Sequence, residues 1–285
     1  MLYSTALEIS PAESAGVGPG LGYQCYSLIL DIIRTGNPSL SNSLHSALEL
    51  KPLTVSNLLH PDGRALRTPI LTSGQRYAIR ATFLTDDVFT AFMHGTALKG
   101  PDSKLMLGNA ACKLVRSATM KLQSPLCGNS SFEDLMEKAA MERQISLRFL
   151  SPTVFRSKGN RNTLRPDARL IFNSYLTRWN AFSPVKLDSG WLTWCSEYVR
   201  LDKYRLSTQK VDFGSYQETG LVGECTFSAP GDAPPEMLSA LNALADFAWY
   251  AGTGAKTTMG MGQTRRWWNG RALSGGAGRQ LTQRQ

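Results

Sequence analysis

Gly252, Gly254, Gly260 and Gly262 bracket Lys256, Thr257 and Thr258 in the spacing G-x-G-x-K-x-x-x-G-x-G. Glycine has no Cβ and enters φ > 0 freely, so backbone amides at this spacing can converge on an anion. Lys256 would add a point charge in the middle of the loop. The chemistry expected here is contact with a phosphate, through the four glycines, Lys256 and Thr257. A Walker loop or a dinucleotide fingerprint would follow a strand and open a helix. Here an apolar helical run ends at Ala251 and a basic strand follows Gly262, the reverse order. A bare turn needs only one or two glycines, so four around a lysine ask for more than a turn. Acid–base chemistry has three histidines to draw on, His45, His60 and His94. Imidazole titrates near neutrality and can give or take a proton. So few histidines do not suggest a metal site. Cys25, Cys112, Cys127, Cys195 and Cys225 are scattered without a C-x-x-C pair, which points to neither zinc nor a disulfide framework. No metal and no other cofactor is expected, and reduced thiols suit a cytoplasm.

The balance of charge narrows the partners. The chain has 285 residues and a net charge of +9, from 31 Lys+Arg against 22 Asp+Glu. Such a surplus suits nucleic acid or an anionic surface better than an acidic small molecule. No apolar run reaches the length of a membrane span, and the N-terminus lacks a secretory pattern, so no membrane partner is expected. Arg148, Arg156, Lys158, Arg161 and Arg165 fall in one stretch without an acid, which reads as a track for phosphates, and Arg265 adds a cation from the last strand. Arg76 and Arg80 share one strand face, toward RNA or solvent.

These residues need elements to carry them. Tyr3, Thr5, Leu7 and Ile9 alternate as in a strand. Tyr26, Ile29 and Ile33 keep helical spacing up to the stop Gly36-Asn37-Pro38. A short helix over Ser39 to Ser46 would carry His45. Pro52 to Leu59 and the alternation through Tyr77, Ile79, Ala81 and Phe83 are strands. Asp86 and Asp87 open a helix, and Lys104 to Met120 supply the last strand material. A second unit follows, with a strand through Ile145, Leu147 and Phe149 and a helix from Asp167 through Trp179. Trp191 to Arg200 and Leu221 to Phe227 are strand candidates, Pro235 starts a helix, and Gln263 to Trp268 is the final strand. Trp179, Trp191, Trp194 and Trp249 are expected in the core. The order β-α-β-β-α-β occurs twice, which predicts an α+β chain of two tandem ferredoxin-like (RRM-like) domains. The boundaries read as 1–122, a linker with a short helix over 123–140, a second domain over 141–268, and a disordered tail over 269–285.

The helix, loop and strand order around this glycine spacing resembles the CRISPR-associated endoribonucleases that cut repeat RNA out of precursor CRISPR RNA. Those enzymes belong to a superfamily of repeat-associated RNA-binding proteins built on RRM-like domains. The stretch from Leu28 through Asn37-Pro38, Leu40 and Leu44 to His45, followed by Lys51-Pro52 and Thr54-Val55-Ser56, is similar to the family's catalytic region. The resemblance implies His45 and Lys51 as catalytic residues. Histidine would move protons and lysine would stabilise charge on the pentacoordinate phosphate. The RNA supplies its own nucleophile, the 2′-hydroxyl, so no metal is required. Some members carry a tyrosine one helix face earlier, where this chain has Leu30. The implied partner is CRISPR repeat RNA, precursor and mature, with a CRISPR effector complex receiving the product. A second reading is a non-catalytic RNA-binding subunit of such a complex. A third is an enzyme of small phosphates using the Gly252–Gly262 loop.

Overall fold

The computed structural model describes residues 1–46, 50–66, 70–156, 162–268 and 271–272. Its first half runs β1 (Leu2–Pro11), β2 (Ala15–Gly16), α1 (Leu21–Gly36), α2 (Pro38–Ser46), β3 (Leu53–Leu59), β4 (Ile70–Leu71), β5 (Tyr77–Phe83), α3 (Asp86–Lys99), β6 (Lys104–Leu107), β7 (Ala110–Ala118) and β8 (Gly128–Ser130). The second half runs α4 (Phe132–Glu137), β9 (Gln144–Thr153), β10 (Phe155–Arg156), β11 (Asn162–Thr163), α5 (Ala168–Phe182), α6 (Gly190–Tyr198), β12 (Arg200–Asp212), β13 (Gln217–Ser228), α7 (Pro235–Ala251), β14 (Thr264–Trp268) and β15 (Arg271–Ala272).

The first sheet has the order β3-β5-β1-β7-β6, with β8 added on β1, and its ladders are antiparallel. Taken by their place in the βαββαβ run, the second, third, first and fourth strands stand side by side. The second sheet, β12-β13-β9-β14-β15, repeats that arrangement. This is the tandem ferredoxin-like fold that the doubled element order predicts. In the first unit Leu7, Ile9, Ile79 and Phe83 pack with Ile29, Ile33 and Phe92. In the second, Leu147, Phe149 and Phe227 pack with Phe172, Trp179 and Phe247.

The units meet through α7. This helix is buried almost all round, from Leu238 to Ala251, so it serves two sheets at once. Arg80 of β5 is its clasp and is buried, so it faces neither RNA nor solvent as the alternation of β5 had suggested. Its Nε donates to Ser4 Oγ (2.9 Å), one terminal nitrogen to Gln263 Oε1 (2.6 Å) and the other to the Trp249 carbonyl oxygen. The guanidinium lies 3.6 Å from the Trp249 ring centroid, and Thr82 Oγ1 donates to the Tyr250 carbonyl (2.6 Å). Burial, with the positive charge of Arg265 nearby, pulls the Arg80 pKa down to about 9.

Three segments depart from the sequence expectation. Trp191 to Tyr198 is a helix, because Trp191 and Cys195, one turn apart, both turn into the core. The second strand starts only at Arg200 and runs through thirteen largely exposed residues that lack an apolar stripe. Within the stretch read as a linker, Gly128–Ser130 pairs with β1.

Candidate active site

Helix α1 ends where Asn37 takes an extended conformation and its side-chain oxygen accepts the Leu40 amide (3.0 Å), which turns the chain into α2. Leu44 is buried and Ser41 Oγ donates to the Leu30 carbonyl (3.1 Å), so α2 lies back on α1. His45 sits in the last turn of α2 with its side chain exposed. Lys51, just before β3, reaches back. Its ammonium donates to the Leu44 carbonyl oxygen, lies 3.4 Å from the His45 carbonyl oxygen, and donates to Tyr26 Oη at 3.0 Å. A cation on the free carbonyls of a helix C-terminus is favourable, so Lys51 holds the turn that presents His45.

Burial lowers the Lys51 pKa from its ordinary value. Burial first, and then Tyr23, push the Tyr26 phenol up to about 12. Tyr26 therefore keeps its proton at neutral pH and can act as a donor. A tyrosine thus stands one turn before Leu30, with its hydroxyl on Lys51. Residues four apart share a helix face, and that periodicity could have found Tyr26. Of the other histidines, His60 stands in the turn closed by its amide on the Arg64 carbonyl (2.9 Å), and His94 Nδ1 lies 3.2 Å from the Gly36 carbonyl, where α3 meets the end of α1.

The glycine loop lies against the same corner. Val55 donates to the Thr257 carbonyl (3.0 Å) and Gly260 donates to the Val55 carbonyl (3.0 Å), so the loop is annealed to β3 just past Lys51. A Cβ on Gly22 in α1 would run into the Met259 carbonyl oxygen. Gly22→Ala keeps a helical residue but overpacks this contact. It should lower stability by about 1–3 kcal/mol in a circular dichroism melt, and an unchanged melt would mean that the contact yields freely.

The glycine loop is tied into the protein through its own backbone. Five of its amides donate within the protein: Gly252 to Ala248, Thr253 to Gly262, Gly254 to Ser174 Oγ, Ala255 to Val154 and Gly262 to Pro152. Gly252, Gly254, Gly260 and Gly262 have φ between 64 and 84°, and each extra Cβ would meet neighbouring atoms. Glycine is needed here for left-handed backbone and close approach. Thr257 is buried, and Arg178 of α5 donates to its Oγ1 and to the Gly254 carbonyl, both at 3.1 Å. Lys256 is engaged too. Its ammonium donates to Tyr216 Oη (2.8 Å) and pairs with Glu218 (3.1 Å).

The other cations are dispersed. Arg148 pairs with Glu224 at 3.6 Å and lies 4.8 Å from the Trp267 ring centroid. Arg265 is stacked 4.0 Å from the centroid of Trp249, and burial lowers its pKa. Arg156 in β10 and Arg165 just past β11 are exposed, and β10 follows Val154, whose carbonyl accepts the Ala255 amide of the glycine loop (2.9 Å). Lys158, Arg161 and the tail from 273 onward lie outside the described residues. Among the described residues no group of three His, Cys, Asp or Glu side chains is placed to hold a metal ion, and no helix is long and apolar enough to cross a membrane.

A family model described as CRISPR-associated endoribonuclease Cas6 matches residues 147–264. The Mycobacterium tuberculosis protein named CRISPR-associated endoribonuclease Cas6 is 30% identical over 144 residues, 50% of this chain and 44% of that protein. The chain thus spans less than half of that relative's length in the match. A solved Cas6 product complex is 29% identical, with a TM-score of 0.79 over 94% of this chain and 99% of the other. Thermus thermophilus Cas6 is 26% identical, with a TM-score of 0.72 over 94% and 98%. In sequence over residues 147–264, and in fold over nearly its whole length, the chain is similar to the CRISPR-associated endoribonucleases named Cas6.

Proposed function

We propose that the chain is an endoribonuclease that binds CRISPR repeat RNA and cuts precursor CRISPR RNA without a metal. The observation that carries this reading is the convergence of Lys51, Tyr26 and the His45 turn beside the glycine loop. The 2′-hydroxyl of the residue upstream of the cut loses its proton and its oxygen attacks the adjacent phosphorus. The bond from phosphorus to the 5′-oxygen breaks, and that oxygen gains a proton. The products are a 2′,3′-cyclic phosphate and a free 5′-hydroxyl. Exposed His45 moves protons, and the Lys51 ammonium stabilises charge as it builds on the phosphate oxygens. Tyr26 orients Lys51 and offers a second donor. Arg156 and Arg165 take the backbone of the RNA, and a CRISPR effector complex receives the product. A cytoplasmic setting suits this substrate and the buried, free cysteines.

The test uses a labelled repeat RNA in excess EDTA. The all-ribose strand is cut, and a strand with one 2′-deoxy sugar just upstream of the cut is bound but stays whole. Cleavage of the deoxy strand would remove internal attack, and loss of all cutting in EDTA would bring in a metal. Binding without cutting would leave a non-catalytic RNA-binding subunit.

A further inference from the structure

Lys256 has the one left-handed backbone conformation in the glycine loop that glycine does not supply, at φ 59°. Its side chain is only 13% exposed and its partner Glu218 12%. The ammonium lies 4.7 Å from the Phe213 ring centroid and 4.1 Å from that of Tyr216, two rings stacked 5.0 Å apart. Aromatic faces and a carboxylate thus enclose a cation whose donors already point at Tyr216 and Glu218. An RNA phosphate could reach it only by displacing these partners.

The enclosing residues come from the tip and stem of the β12–β13 hairpin, a long exposed arm of the second unit. That tip touches the first unit at one defined place. The Gly20 amide donates to the Asp212 carbonyl (2.8 Å), and Gly20 is the residue that opens α1. On the other side of the same turn, Gly22 lies against Met259 of the glycine loop, and Met259 donates its amide to the Lys256 carbonyl (2.9 Å). The first turn of α1 is therefore gripped between hairpin tip and glycine loop, and Lys256 joins those two jaws. Tyr26, one turn further along α1, is the residue that meets Lys51.

We propose that Lys256 is a positioning residue rather than a phosphate ligand. In its cage of Phe213, Tyr216 and Glu218 it closes a strap from the second unit onto α1 and so sets Tyr26 and Lys51 for cleavage. This rests on the cutting reading given above, and it assigns the second unit a part in catalysis distinct from holding RNA. A group held out of register slows the chemical step far more than it weakens remote contacts.

The experiment compares wild type, Lys256→Ala, Lys256→Arg and Glu218→Gln. Single-turnover cleavage at saturating enzyme should fall roughly tenfold or more in Lys256→Ala, with repeat affinity and its salt slope unchanged. Lys256→Arg should restore most of the rate, and Glu218→Gln should slow cutting in the same sense. Amide exchange of the free protein reports the strap without any RNA. The segment covering residues 20–26 should exchange faster in Lys256→Ala, with the second-unit core protected as in wild type. A weaker affinity with a salt slope lower by about one would make Lys256 an RNA contact and overturn the proposal. So would unchanged cleavage together with unchanged exchange. If Lys256→Ala melts globally, Tyr216→Phe, which removes only one hydrogen bond, must still slow cutting and loosen residues 20–26, or the proposal fails. Should wild type itself leave RNA uncut, the cutting reading falls, while the exchange result still decides the strap.

Discussion

Lys51→Ala should slow cleavage of repeat RNA by about 10²–10⁴-fold in single turnover while changing repeat affinity little. Two losses combine in this variant. The phosphate loses a cation at the moment its charge grows, and the last turn of α2 loses the ammonium that bonds the Leu44 and His45 carbonyls. His45→Ala should fall in the same range, because it removes the proton carrier and leaves the turn in place. Tyr26→Phe keeps the ring and removes the hydroxyl, so its loss should be smaller, about tenfold. The pH dependence has a definite sign. Lys51 acts as the charged ammonium, and burial lowers its pKa below the ordinary 10.5. Activity should therefore hold on the acid side of that pKa and fade as pH rises through it, earlier than an exposed lysine would dictate. Tyr26→Phe should leave this alkaline limb in place. Full cutting by Lys51→Ala, or an alkaline limb that survives in it, would remove Lys51 from the chemistry.

The second large effect concerns the joint between the units. Arg80→Ala should lower stability by about 3–5 kcal/mol, read from the urea midpoint by tryptophan fluorescence. The guanidinium serves Ser4, Gln263 and the Trp249 carbonyl, and alanine leaves these buried acceptors without that donor. It also opens the space against Trp249. The partners are neutral, so the buried charge carries a desolvation cost, as its lowered pKa indicates. Arg80→Met should for that reason recover part of the loss, since it fills volume without a charge to desolvate. A change below about 1 kcal/mol in Arg80→Ala would show that water replaces the guanidinium at no cost and that α7 alone holds the units together.

The sequence alone determined the two βαββαβ runs, because periodicity and stop signals such as Gly36-Asn37-Pro38 act locally. It also brought forward His45, Lys51 and the glycine loop as the residues worth attention. Local patterns could not rank the glycine amides, since a phosphate cradle and a loop welded between α5, β3 and β9 need the same left-handed, Cβ-free backbone. Only the neighbours decide, and Pro152, Val154 and Val55 have taken those bonds. Arg80 read as facing RNA or solvent and Lys256 as a phosphate contact, because charge in a sequence implies water or a charged partner. Tertiary structure buried one against Trp249 and set the other against the stacked rings of Phe213 and Tyr216. The tyrosine that meets Lys51 does not stand at the position the resemblance pointed to. Leu30 fills the place matched by sequence, whereas the folding of α2 back onto α1 brings Lys51 to the residue one turn earlier, Tyr26. That meeting depends on how two helices and a strand pack, which no spacing along the chain encodes.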